Sequence, residues 1–287
     1  MARLRVFGTR FEKPSGMRAI ITFAAFSLAM AGYSQTRPPR ASLDTLPQVT
    51  LPSVTHSAFR EGEYMRFRLH YGMVDAGEAE ITVKNAARRF QGRDAYHIVG
   101  TGRTLGAFNW FFKVRDRYET YLDKKGAFPW EFIRDIEEGS YKKRQEYYFH
   151  QHRSAVTTNK GDTYYIPPYS QDMLSSFFYA RTFNFTYARP GDIFTIPTFV
   201  DGEYYPLQIK LLGRETIKSR TGTYRCLKFV PVVQKGRVFK NEEDMIVWIT
   251  DDANKIPVLC KAKVLVGSIK MELVEYGNLA NPMARID

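Results

Sequence analysis

The chain's 287 residues are 44% hydrophobic and 25% charged, the proportions of a folded globular protein rather than a disordered one. Aromatics reach 15%, with 18 Tyr and 21 Phe, which favours pleated, half-buried surfaces over helix bundles. A formal net charge of +12 suits anionic partners such as membrane head groups or acidic glycans, but Lys and Arg are scattered along the chain, which argues against nucleic acid.

The first local signal lies near the N-terminus, where Arg18 precedes an apolar run from Ala19 to Ala31. A basic start, a short apolar core and small residues at the exit make a secretory signal peptide. The run is shorter than the roughly 20 residues needed to span a bilayer. Residues 1–34 are therefore expected to be a signal peptide, cleaved after Ala31 or Ser34. The protein is then periplasmic, with no transmembrane span in its mature chain. Met17, directly before Arg18, offers an alternative start that would make residues 1–16 an overcall. No Cys lies near the junction, so a lipid-modified N-terminus is not expected. Residues 1–34 carry +4 of the net charge, which leaves +8 on the mature chain.

Residues 35–58 contain Pro38, Pro39, Pro47 and Pro52 in a polar stretch with no helical or strand period, the composition of an extended, mobile tether. A single domain is expected over 59–277, with a short tail at 278–287. Its opening alternates with period two: Met65, Phe67, Leu69 and Tyr71 against Arg66, Arg68 and His70, a half-buried strand. Ala79, Ile81 and Val83 alternate with Glu80, Thr82 and Lys84 in the same way. Further strands are expected at 94–100, 107–121, 128–137, 142–150, 192–200, 203–212, 223–233, 243–250, 256–265 and 268–276. Asp201-Gly202 is the sharpest hairpin signal, because both central turn residues must tolerate positive φ.

One segment breaks the pattern. Between Ser170 and Phe183, Met173, Leu174, Phe177 and Phe178 share a helical face, with Asp172 in the first turn and Arg181 in the last. The expected fold class is all-β: an antiparallel meander curled into a barrel or half-barrel, with one short helix near 170–183 plugging or capping one end.

Catalytic signatures are weak. Gly100-Thr101-Gly102 through Gly106 comes near a dinucleotide loop, but its third glycine is one residue late and an aromatic run stands where the helix should start. No G-x-S-x-G, H-E-x-x-H or S-x-x-K occurs. His150 and His152 lack a convincing carboxylate partner, so neither a metal nor another cofactor is expected. Glu137-Glu138 and Asp251-Asp252 point to opposite strand faces and read as ionic partners for the many cations. Candidate ligand-binding residues are aromatic instead: Phe108, Trp110 and Phe112, alternating onto one strand face, and Phe177 and Phe178 from the helix. They would line an apolar cavity for a lipid-like ligand if the sheet curves strongly, and fill the core otherwise. Cys226 and Cys260 fall on strands that are not neighbours, on the order of 15 Å apart, which argues against a disulfide.

Several stretches in order resemble the exported bacterial proteins grouped as domain of unknown function 3108. They are Glu61-Gly62-Glu63-Tyr64 with Tyr71-Gly72 and Ala76-Gly77-Glu78-Ala79, then Phe128-Pro129 with Ile136 to Tyr141. Gln171 to Ser176, Gly222 to Cys226, and Trp248 to Asp252 with Ile256-Pro257 complete the set. The resemblance covers about 60–276 and implies a β-barrel-like fold similar to the open half-barrels of lipoprotein carriers. It implies no activity and no site residues. The favoured reading is a non-catalytic carrier for an apolar or anionic envelope component, possessing at most peripheral membrane contact. The alternatives are an enzyme acting on envelope glycan or lipid, with Asp116, Glu137, Asp172 and Arg181 as the residues to inspect, and a structural partner in a surface assembly.

Overall fold

The computed structural model describes residues 37–232, 244–263 and 267–286, so the signal peptide expected at 1–34 lies outside the described residues. The first strands are β1 (Tyr64–Tyr71), β2 (Val74–Asn85) and β3 (Ala95–Thr104), followed by the short helix α1 (Gly106–Phe111). Then come β4 (Val114–Asp123), β5 (Pro129–Glu138), β6 (Tyr141–His150), β7 (Ala155–Thr158) and β8 (Thr163–Tyr165). After helix α2 (Met173–Arg181) follow β9 (Ile193–Val200), β10 (Glu203–Ser219) and β11 (Gly222–Pro231). The chain ends with β12 (Met245–Thr250), β13 (Pro257–Lys263) and β14 (Ser268–Gly277). No helix among the described residues is long and apolar enough to cross a membrane.

All fourteen strands form one antiparallel sheet in the order β8-β7-β6-β5-β4-β3-β2-β1-β14-β13-β12-β11-β10-β9. Each strand pairs with the next in the chain except β8 and β9, which form the two ends of the sheet, and β14 returns to pair with β1. The alternation is the cause: Met65, Phe67 and Leu69 are buried while Arg66 and Arg68 face outward. Arg66 is there bonded to Glu80 at 3.3 Å and Glu275 at 2.7 Å across both adjacent strands. A bulge between Leu69 and His70 then shifts the phase, burying His70, whose Nδ1 lies 2.8 Å from Asp75.

The two ends of the sheet, β8 and β9, meet through side chains rather than a ladder. Phe199 of β9 packs on Tyr147 of β6 at 5.2 Å and on Tyr164 of β8 at 6.0 Å. Asp201, in the type I′-like turn where both Asp201 and Gly202 have positive φ, accepts from Lys143 at 2.7 Å and Arg134 at 3.3 Å. One main-chain link helps: Gln171 donates to the Pro197 carbonyl and accepts from the Phe199 amide. The meander is thus a barrel with one seam, and α2 packs against β9, one of the two seam strands, and against β4.

Several expectations need correction. Residues 106–111 are helical, so the strand expected over 107–121 begins only at Val114. Gly106 takes φ +51° once β3 has run out of partners at Thr104, and the chain turns over the rim before β4 starts. The strand expected to end at 212 continues to Ser219, because Gly213 hosts a bulge that bends β10 from β9 onto β11. The short strands β7 and β8 are additional to those expected. From Arg37 the Pro-rich segment is extended apart from a 3-10 turn at Leu43–Thr45, but docked. Ala41 donates to Thr163, Tyr165 to Pro39, Val49 to His152 and Val54 to Lys125, all through backbone groups.

Candidate functional site

Helix α2 is pinned at both ends. At its N-terminus Asp172 caps the helix, accepting from the amides of Leu174 and Ser175 and from the Thr120 hydroxyl at 2.7 Å. In return the Ser175 hydroxyl oxygen accepts from the Asp172 amide, a capping box. Burial pushes the Asp172 carboxyl up to about 6, against the opposing hydrogen bonds from Ser175, Thr120 and Leu174. At the C-terminus Arg181 and Glu63, both fully buried, pair through two bonds of 2.6 and 3.0 Å. Arg181 also donates to the Asn254 and Ala58 carbonyls, and its guanidinium sits 5.1–5.5 Å from the rings of Phe59, Phe177 and Phe178. Every charge at the helix ends is therefore used in holding it.

The helix is buried nearly all round, serines included, so the single apolar face expected of it is incomplete. Phe178 points into the main core, while half-buried Phe177 is left facing a hollow. That hollow is a cavity of about 120 Å³ between α2 and the inner face of the sheet. Met173 and Phe177 supply one wall; Phe67 and Leu69 of β1, Val247 and Ile249 of β12, Cys260 of β13 and Met271 of β14 supply the others. A second cavity, also about 120 Å³, adjoins it toward β9–β11, lined by Ile196, Leu207, Ile209 and Phe229. The two share Phe177, Met245, Val247 and Ile249. Of the lining, Phe177, Val247, Ile249, Met271 and Ile209 keep partial exposure. An apolar surface inside the barrel is thus in contact with solvent, and an apolar guest would release that water.

Of the five aromatics expected to bind, only Phe177 lines this hollow, and Phe178 stands behind it in the core. The helical turn at α1 separates the other three. Phe108 packs on Tyr71 at 6.2 Å, Phe112 packs on the edge of the main core, and Trp110 projects outward, 86% exposed, beside Phe111 at 77%. The β1–β2 turn next to them presents Met73, fully exposed, and Val74.

Among the described residues, neither carboxylates nor histidines gather at the cavity. Asp172 and Arg181 are consumed by the helix anchors, while Asp116 accepts from the Glu137 amide in a polar hollow between ion-paired strands. Glu137 is shared by Lys113 and Lys142 at 3.7 Å. His150 bonds Thr157, and among the described residues no three His, Cys, Asp or Glu converge as metal ligands would. Cys226 and Cys260 are free and buried on β11 and β13, with β12 between them, and burial pushes both thiols up to about 12.

The fold and hollow define a class: an all-β, antiparallel barrel with one side-chain-closed seam, an internal helix and an apolar interior. The chain belongs to the family described as Protein of unknown function (DUF3108), which matches residues 66–274. Among solved structures it is similar to a beta-barrel-like protein of domain of unknown function DUF1849 from Brucella abortus. That pair shares 8% identity over 79% of this chain and 99% of the other, with a TM-score of 0.49. A protein of YmcC-like fold from Bacteroides fragilis is 10% identical over 80% of this chain and 100% of its own, with a TM-score of 0.30. A hypothetical protein from Chlamydia trachomatis is 8% identical over 79% and 93%, with a TM-score of 0.35. Likenesses this distant imply no shared activity, and the fold assignment rests on the strand pairing itself. Among curated proteins, none matches the chain.

Proposed function

We propose that the protein is an exported envelope protein that binds an apolar or amphiphilic envelope component inside its barrel, without catalysis. The observation that carries this reading is the pair of joined cavities around Phe177, walled by apolar side chains of which Phe177, Ile209, Val247, Ile249 and Met271 keep partial exposure. Native cores fill such space with their own side chains, so a solvent-reached apolar hollow beside an internal helix is unusual unless something occupies it. Export is supported by the basic start and apolar run at Arg18 to Ala31. The test is an environment-sensitive apolar dye, N-phenyl-1-naphthylamine. Its fluorescence is expected to rise on binding the wild type and to stay low with Val247→Trp, which fills the shared wall from a half-buried position. Equal enhancement in both proteins would place the dye elsewhere and remove the support.

A second reading concerns delivery. Trp110, Phe111, Met73 and Val74 form an exposed apolar rim on a chain of net positive charge, the composition of a surface that touches an anionic bilayer peripherally.

A further inference from the structure

The second apolar cavity does not end in apolar residues. Arg181, Phe185 and Lys255 line it and also line a polar pocket of about 380 Å³, whose other walls include His56, Ser57, Thr186 and Asp252. The apolar interior is thus continuous with a polar vestibule through a short shared border. The charges at that border are unequal in their pairing. Arg181 is neutralised by Glu63. Asp251 is held by Arg214 at 3.1 Å, and Asp252 is occupied by the Thr250 hydroxyl and the amides of Asn254, Lys255 and Ala284.

Lys255 alone has no carboxylate within ion-pair distance among the described residues; its ammonium makes one long bond of 3.4 Å to the Ala253 carbonyl. Burial, then the neighbouring Arg181 charge, lowers its pKa, partly offset by Asp252. Beside it, the Nδ1 of His56 is buried without a hydrogen-bond partner. A half-buried cation and an unpaired ring nitrogen at the mouth of an apolar cavity leave a deficit that an incoming anion removes.

We infer that the ligand is an amphiphile with a slender apolar chain in the two cavities and an anionic head, carboxylate or phosphate, held at Lys255 and His56. This rests on the carrier reading above and names the chemical class of its ligand. The shape of the space agrees: each cavity is comparable with the void of roughly 150 Å³ that accepts a single benzene ring. A flexible chain threading past Phe177 fits both, whereas a rigid polycycle fits neither.

Calorimetric titration of the purified protein with decanoate, decyl phosphate and 1-decanol separates the parts. Both anions are expected to bind about tenfold or more tightly than the alcohol, and Lys255→Gln to erase that preference without changing the alcohol's affinity. Lys255→Arg, which keeps the charge, should restore it and shows that any loss is not a folding defect. Whichever anion wins identifies the head as carboxylate or phosphate. Equal binding of alcohol and anions, unchanged in Lys255→Gln, overturns the head-group inference and leaves the carrier reading standing. No binding of any of the three overturns both.

Discussion

Arg181, in the last turn of the internal helix, and Glu63, on the residue before β1, form a two-bonded ion pair with 1% and 0% of their surfaces exposed. The pair joins the helix to the opening of the sheet, and the three rings around Arg181 include the cavity-lining Phe177. The anchor thus stands directly against a residue of the cavity wall.

Removing one partner strands the other charge out of water. Arg181→Met or Glu63→Gln is expected to destabilise by about 3–5 kcal/mol, and the double variant by clearly less than the sum. Urea unfolding of the four proteins measures this; additive losses would show that the two residues act independently.

Asp172 makes a pH prediction. Its carboxyl holds a proton up to about 6 in the fold, against 3.8 ordinarily, because burial outweighs the hydrogen bonds from Ser175, Thr120 and Leu174. The folded chain therefore binds this proton more tightly than the unfolded chain. Its stabilising effect is full below 3.8 and is lost as pH rises through about 6. Asp172→Asn keeps a capping oxygen but does not titrate. Relative to that variant, the wild type is expected to lose roughly 2 kcal/mol between pH 4 and pH 7. Parallel stability curves for the two proteins would contradict this.

Much of the architecture was legible because it is written in period two. Met65, Phe67 and Leu69 against Arg66 and Arg68 announce a strand, and Asp201-Gly202 announces the turn that later docks on β5 and β6. Phe108 to Phe112 misled, since aromatic density reads as strand; only the end of β3 pairing, together with Gly106 at positive φ, makes the chain coil there. Within the site, helical spacing alone singled out Phe177. Val247 and Met271 become its neighbours only when β14 returns to β1, and Glu63 reaches Arg181 across 118 residues. Lys255 has no local signature at all: its significance is the lack of a carboxylate partner among the described residues, which a sequence cannot display.

The two cysteines offer a direct check on packing. With both thiols buried and pushed up to about 12, neither is expected to react with a polar disulfide reagent until the protein unfolds. The intact mass is expected to correspond to two free thiols. Rapid labelling of native protein, or a mass two hydrogens lighter, would contradict the arrangement of β11 to β13.

Exposed Trp110 bears on the membrane-contact reading. Trp110→Glu is expected to weaken partition onto anionic lipid vesicles by about tenfold or more, since a large ring loses roughly 1.5–3 kcal/mol of burial. Dye binding inside the barrel should be unaffected. Vesicle sedimentation identical to wild type would remove the rim from the account.

Whether the barrel interior holds an apolar envelope component is read out by native mass spectrometry of the protein purified from a bacterial envelope extract. A carrier is expected to show a reproducible added mass that is lost on mild denaturation and recovered as an extractable lipid. A bare protein mass, unchanged after incubation with envelope lipids, would contradict it.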